Sequence, residues 1–358
     1  MEAPLRLLVL APNWLGDAVL ALPAITSVRQ WQPFAHLTVA ARPSVAPLFS
    51  LIDGVDAVLT LRNRGRWRDA LTLISDARAL TKGAFDIAML LPNSFHAAWL
   101  VRIAGIPKRW GYRADLRARL LTRPIAKPLG FVHQTEYYLR LVHAMGAPRV
   151  GLVAALRLTD DDRQRADDLL RHQGWDREAL IGFAPGAAFG LAKRWPPDRV
   201  AAVAVALARK SRITPVLVGT RADRATTRAV ARAFRRELGA DGRLIDLVGQ
   251  TDLRTLVAVL TMCTAVVSND SGVMHVAAAA GVPVTAIFGP TNEQRTAPLP
   301  HPSGAGTAIV AGRAWCRPCE LRACPLDHRC MTSVSVDSVV EATEQNIALR
   351  RRTRDGRV

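Results

Sequence analysis

An α/β fold with two parallel sheets is the class this sequence predicts, on three observations. Short apolar, β-branched runs alternate with stretches of helical spacing along nearly the whole chain. That alternation weakens once, from Ala147 to Thr159, which places a crossing between two domains there. The length of 358 residues, with 49% hydrophobic and 22% charged, suits two globular α/β domains. The expected domains are 1–155 and 175–335, followed by a helix and tail over 336–358.

In the first half, Leu5–Leu10 reads as a buried strand, and Ala18–Leu22 opens a helix. Between them lies Ala11-Pro12-Asn13-Trp14-Leu15-Gly16-Asp17, a glycine-containing turn on the carboxyl side of the strand. Open α/β sheets bind ligands at that edge. Asp17 is therefore either an acid that suits a first helical turn or a carboxylate that takes a proton from a nucleophile. His36–Ala40, Ala57–Thr60 and Phe85–Leu91 read as further strands, with helical spacing from Trp67 to Leu80. Pro107–Arg113 reads as a basic, aromatic loop, followed by Arg117, Arg119 and Arg123. Guanidinium groups there suit phosphate or carboxylate; a solvated basic face is the alternative. A helix is expected to follow His133 and run through Val142.

In the second half, Asp160–Gln173 is a strongly charged helix and Ile181–Ala184 a strand. The strand runs into Pro185-Gly186-Ala187, then Ala192-Lys193-Arg194-Trp195-Pro196. Small residues let a phosphate approach the backbone, and Lys193 adds a point charge. Thr214–Gly219 and Leu244–Leu247 read as strands, with a basic helix between them to about Leu238. A helix over Leu253–Leu260 precedes the strand Ala265–Val267. Then comes Ser268-Asn269-Asp270-Ser271-Gly272-Val273-Met274-His275, at the start of a helix that stops at Gly281. The N–H groups of Ser271 and Gly272 suit a phosphate, and Asp270 suits sugar hydroxyls. The competing reading makes Asp270 or Ser271 a helix cap. His275 lies one turn in, to reach a phosphate or to pack. Val284–Thr291 is a last strand ending in a Gly-Pro loop, and Asp337–Ala348 reads as a helix.

The net charge is +18, from 48 Lys and Arg against 30 Asp and Glu. That favours anionic partners such as an anionic membrane face, unless codon bias toward arginine is the cause. Nucleic acid is not expected, because the arginines are scattered and no DNA- or RNA-binding signature appears. No apolar run reaches a membrane span, and the N-terminus lacks a secretory pattern, so a cytoplasmic location is expected. Cys263 reads as core. Cys316, Cys319, Cys324 and Cys330 form a C-x2-C-x4-C-x5-C pattern, read either as a structural zinc or iron–sulfur site or as disulfides or free thiols in a packed loop.

The Asp17 turn, the Ala192–Pro196 loop and the Ser268–Ala277 run together resemble the bacterial lipopolysaccharide heptosyltransferases, glycosyltransferase family 9. The resemblance covers nearly the whole chain. It implies a GT-B architecture, two Rossmann-like domains facing across a cleft, with the final helix packing back on the first domain. It implies an ADP-L-glycero-β-D-manno-heptose donor on the second domain and a heptosyl-Kdo-lipid A acceptor on the first, with inversion and no required metal. In residue terms it implies Asp17 as base. Gly186, Ala187, Lys193, Asp270, Ser271, Gly272 and His275 would meet the donor. Gly16, Arg113 and Arg117 would meet the acceptor. Another family 9 sugar or acceptor is the alternative.

Overall fold

Two compact units divide the chain, Met1–Arg157 and Leu158–Val358. The computed structural model describes residues 4–62, 70–149, 151, 156–239 and 242–354. The expected boundary at 155 and the start of helical spacing at Trp67 lie outside those residues.

The first unit holds β1 (Arg6–Leu10), β2 (His36–Ala41), β3 (Ala57–Thr60), β4 (Ile87–Leu90), β5 (Lys108–Tyr112) and β6 (Arg123–Ile125). All pairings are parallel, in the order β3-β2-β1-β4-β5-β6. Such a sheet is covered on both faces, so its central strands are continuously apolar. Leu7, Leu8 and Val9 of β1 and Ala88, Met89 and Leu90 of β4 are accordingly buried. The segment read as a basic loop at 107–113 is instead strand β5. Its cations hid the strand. Arg109 donates to the carbonyls of Leu120 (2.8 Å) and Ile106 (2.6 Å), so that charge is used within the fold.

The second unit holds β7 (Ala179–Ala184), β8 (Ile213–Leu217), β9 (Ile245–Asp246), β10 (Cys263–Asn269), β11 (Val284–Phe288) and β12 (Thr307–Ala311). Its order, β12-β11-β10-β7-β8-β9, is also parallel throughout. Counted within the unit this repeats the order of the first sheet, the doubly wound dinucleotide-binding topology. Edge strand β12 has no counterpart in the sequence reading. Its five residues follow a Gly- and Ser-rich stretch and are only half-buried, which weakens the apolar signal. Trp195, Phe183 and Phe234 are the largest apolar side chains fully buried in this unit's core, together with Phe288.

The closing helix, Val336–Arg354, packs on the second sheet. Asn346 donates to the Val284 carbonyl (2.9 Å) and Arg350 to that of Cys263 (2.8 Å).

The charged helix, Asp160–His172, opens with a reciprocal cap between Thr159 and Asp162. Asp162 is buried and receives both Nε (2.9 Å) and Nη2 (2.6 Å) of Arg254, on the Leu253–Met262 helix. That bidentate guanidinium, with the Thr159 N–H and hydroxyl, holds the Asp162 carboxyl well below its usual range. A depressed carboxylate contributes stability that is present above its unfolded value near pH 4 and lost as pH falls toward the folded one. Asp162→Asn is therefore expected to cost about 2–4 kcal/mol at neutral pH and to flatten the acid limb of stability. Urea unfolding at pH 7 and at pH 2 reads both, with a smaller loss expected at pH 2; equal loss at the two pH values would refute the assignment.

Candidate active site

In each sheet the strand order reverses once, between β1 and β4 in the first and between β7 and β10 in the second. The crevice outside the carboxyl ends of those strands is where this topology binds ligands. The sequence-predicted turns fall there. Asp17 follows β1, the Gly186–Lys193 loop follows β7, and Asp270 follows β10.

In the second unit the reversal brings the two loops together. Lys193 lies in a single 3-10 turn, Leu191–Lys193, and its Nζ donates to Asp270 Oδ2 at 2.5 Å. The side chains are 11% and 6% exposed, so this is a buried ion pair. Thr291, just past β11, donates its hydroxyl to the same oxygen at 2.6 Å. Lys193 also lies 4.6 Å from the centre of the Phe189 ring, which Arg322 approaches at 5.4 Å. Asn269 locks the same two loops by donating to the Pro185 carbonyl (2.7 Å) and accepting from the Trp195 N–H (3.3 Å).

The helix Gly272–Ala279 begins beside Asp270. Ser271 occupies the capping position but makes no side-chain cap bond; its hydroxyl meets Ser268 at 3.1 Å. Asp270 is engaged by Lys193 and Thr291. Neither residue's side chain is therefore seen capping the helix, and the first-turn N–H groups carry no side-chain cap. His275 is buried one turn in.

Gly186 has a packing reason as well. A Cβ there would lie 2.4 Å from the Asp223 carboxylate, which is buried in a cap with Thr220. Ala187 is buried and Ala188 exposed. Gly190 is equally constrained, since a Cβ would lie 2.2 Å from the Arg322 carbonyl.

In the first unit Asp17 sits in the first turn of the helix Leu15–Leu20, after Gly16. It is half-buried, and its charge adds to the burial that raises the Tyr138 phenol well above its ordinary value. Arg113 is exposed at the end of β5. Arg117 is a correction. Its side chain is fully buried and donates from Nε to the Tyr112 carbonyl (3.0 Å) and from Nη1 to those of Pro92 and Ser94. Burial pushes its guanidinium down to about 10. It holds this loop from inside, rather than reaching an acceptor from solvent.

Cys316, Cys319 and Cys324 are half-buried, Cys330 is buried, and all four thiols are free. Among the described residues no group of three or more His, Cys, Asp or Glu stands arranged to hold a metal ion. The four cysteines nevertheless lie near one another: burial, and then the charges of Cys316, Cys319 and Cys324, raise the Cys330 thiol. Arg317 donates to the carbonyls of Gly289 (2.5 Å), Gly312 (2.5 Å) and Thr291 (3.1 Å) and pairs with Glu293 (2.7 Å). The Arg322 carbonyl accepts from the Ala192 N–H at 3.1 Å. Sequence reasoning missed Thr291 and Arg317. The signal for Thr291 was the same pattern of strand, glycine and turn; Arg317 had none.

A family model, glycosyltransferase family 9 (heptosyltransferase), matches residues 74–329. The chain is similar to a lipopolysaccharide heptosyltransferase 2 of Salmonella typhimurium, 31% identical over 83% of this chain and 86% of that one. It is 29% identical to a lipooligosaccharide heptosyltransferase 2 of Haemophilus ducreyi, over 96% of this chain and all of that one. Among solved structures it is similar to ADP-heptose LPS heptosyltransferase II of E. coli. The TM-score is 0.81 at 26% identity, covering 97% of this chain and 100% of that one.

Removing one partner of a buried ion pair leaves the other uncompensated, at about 3–5 kcal/mol. Lys193→Ala and Asp270→Ala should each lower stability by about that much. The double variant should recover much of the loss. Thermal unfolding of the three proteins checks this; additive destabilisation in the double variant would show that the pair is not coupled.

Proposed function

The chain belongs to glycosyltransferase family 9, the heptosyltransferases, and from that premise we propose that it moves L-glycero-D-manno-heptose from ADP-heptose to the heptosyl-Kdo-lipid A inner core in lipopolysaccharide biosynthesis. The observation that carries the reading is the Lys193–Asp270–Thr291 cluster beside an uncapped helix start, at the reversal point of the second sheet.

A nucleotide diphosphate meets two sources of positive potential there. Lys193 has three N–H donors and gives one to Asp270, which leaves others for diphosphate oxygens. The N–H groups of Ser271 and Gly272 supply the second, with the small Gly186-Ala187 backbone alongside. Both bonds to Asp270 fall on Oδ2, leaving Oδ1 for a hydroxyl of the donor sugar.

Asp17 acts as general base. Its carboxylate takes the proton of an acceptor hydroxyl as that oxygen bonds to the anomeric carbon. The bond from that carbon to the ADP oxygen breaks on the opposite face, which inverts the configuration. Negative charge grows on the departing diphosphate, where Lys193 and the helix N–H groups stabilise it most. No step is routed through a metal. Arg113, exposed on the first unit, pairs with acceptor phosphate or carboxylate.

Among the described residues no helix is long and apolar enough to cross a membrane. The +18 charge supports a cytoplasmic protein drawn to the anionic inner leaflet that carries such an acceptor.

The first experiment measures heptose transfer from ADP-heptose to heptosyl-Kdo2-lipid A. Asp17→Asn should lower kcat by two or more orders of magnitude with ADP binding retained. Arg113→Ala should raise the acceptor KM several-fold with kcat little changed. An Asp17→Asn enzyme of full activity would exclude it as base. A wild type that binds ADP but forms no product would point to another sugar or acceptor.

A further inference from the structure

The first unit carries an outward face that its own fold does not explain. On the helix Phe95–Ile103 the exposed positions are Phe95, Trp99, Arg102 and Ile103, spaced as one stripe along the axis. Three are large apolar residues, 44%, 41% and 40% exposed. The Phe95 and Trp99 rings stack on one another at 6.3 Å. The helix contains no acidic residue.

Beside its start lies a loop built to project another apolar side chain. Asp115 and Leu116 both have left-handed backbones, at φ 45° and 56°, which side chains disfavour. The loop is held there from two sides. Asp115 accepts from the Phe95 N–H at 2.6 Å, and buried Arg117 clamps the Tyr112, Pro92 and Ser94 carbonyls. The result is Leu116 at 96% exposure next to the aromatic stripe. Arg102, Arg113 and Arg119 are exposed on these same segments and make no ion pair among the described residues.

We propose that Phe95, Trp99, Ile103 and Leu116 form a membrane-interface face that inserts shallowly among lipid headgroups, with Arg102 and Arg119 reaching lipid phosphates. Aromatic and aliphatic side chains rimmed by cations match an anionic bilayer surface. A second copy of this chain fits worse, because a two-fold contact would bring the same arginines against each other. Nucleic acid would need the cations but not Leu116 or Ile103. The choice of a membrane rests on the lipid-linked acceptor proposed above. Helix and acceptor-binding Arg113 then share one unit, so docking would bring that acceptor to the surface that receives it.

The test is co-sedimentation of the full chain with phosphatidylcholine vesicles, with and without phosphatidylglycerol, over a salt series. Transfer to a water-soluble, deacylated acceptor is measured in parallel. The wild type should bind the anionic vesicles, more weakly as salt rises. The triple variant Phe95→Gln, Trp99→Gln, Leu116→Gln should bind roughly a hundredfold less. It should melt at the wild-type temperature and transfer to the soluble acceptor at the wild-type rate. Arg102→Gln alone should weaken vesicle binding about fivefold and steepen no salt slope. Wild-type binding retained in the triple variant overturns the proposal. So does equal loss of transfer to the soluble acceptor, which would make the stripe part of the sugar site. A concentration-dependent dimer that the triple variant abolishes would also overturn it, in favour of a second copy. No transfer by the wild type, with vesicle binding lost in the variant, would refute the proposed reaction and leave the membrane face standing.

Discussion

The buried pair of Lys193 and Asp270 is the interaction on which the second unit's ligand edge depends. Two opposite charges this far from solvent persist only with close geometry and further hydrogen bonds. Thr291 supplies one of these bonds, and the ring of Phe189 supplies a face for the ammonium. The loops that provide these groups leave three different strands, β7, β10 and β11, which lie side by side in the sheet. The parallel topology therefore does chemical work: it is what brings residues 193, 270 and 291 to one point.

Short loops on a sheet edge need support from elsewhere, and the cysteine-rich segment provides it. Arg317 joins the carbonyls of Gly289, Thr291 and Gly312 to the carboxylate of Glu293. Three of these four partners flank or include the residue that donates to Asp270. A few residues on, the Arg322 carbonyl receives the Ala192 N–H beside Lys193. One segment thus braces both sides of the buried pair. Gly190 follows from this contact, since a side chain there would meet the Arg322 carbonyl. The cysteines sit in a loop whose described anchors are arginine and backbone.

The sequence made the sheets and their ligand edges legible because parallel strands are buried on both faces and read as apolar runs. Eight of the nine residues of β1 and β4 are buried, and the turns after β1, β7 and β10 carry Asp17, Lys193 and Asp270. What it hid has physical causes. Strand β5 begins with Lys108 and Arg109, whose charges suggest solvent, yet Arg109 is satisfied by backbone carbonyls. Arg117 follows the same logic more strongly, being fully buried. Thr291 and Arg317 act through tertiary contacts between segments far apart in sequence, and no local spacing announces such contacts. The four cysteines showed the reverse problem. Their spacing suggested a ligand set, and the fold brings Cys316, Cys319 and Cys324 near Cys330 without arranging three of them as ligands among the described residues.

Arginine explains why net charge alone was a poor guide to partners. The same residue type is used here in three ways that only burial and neighbours separate. Arg117 and Arg317 are internal staples, with guanidinium donors directed at backbone carbonyls. On the helix Asp160–His172, Arg163, Arg165 and Arg171 are balanced by Asp160, Asp161 and Asp167 one turn away. Such pairs are worth a few tenths of a kcal/mol each and cancel their own field. Neither group can attract an anionic partner, whatever it adds to the total of +18. The third group stands exposed without an ion pair among the described residues, as Arg102, Arg113 and Arg119 do. Codon bias toward arginine would raise all three groups together. It does not account for exposed cations gathering beside a stacked aromatic pair and a projected leucine.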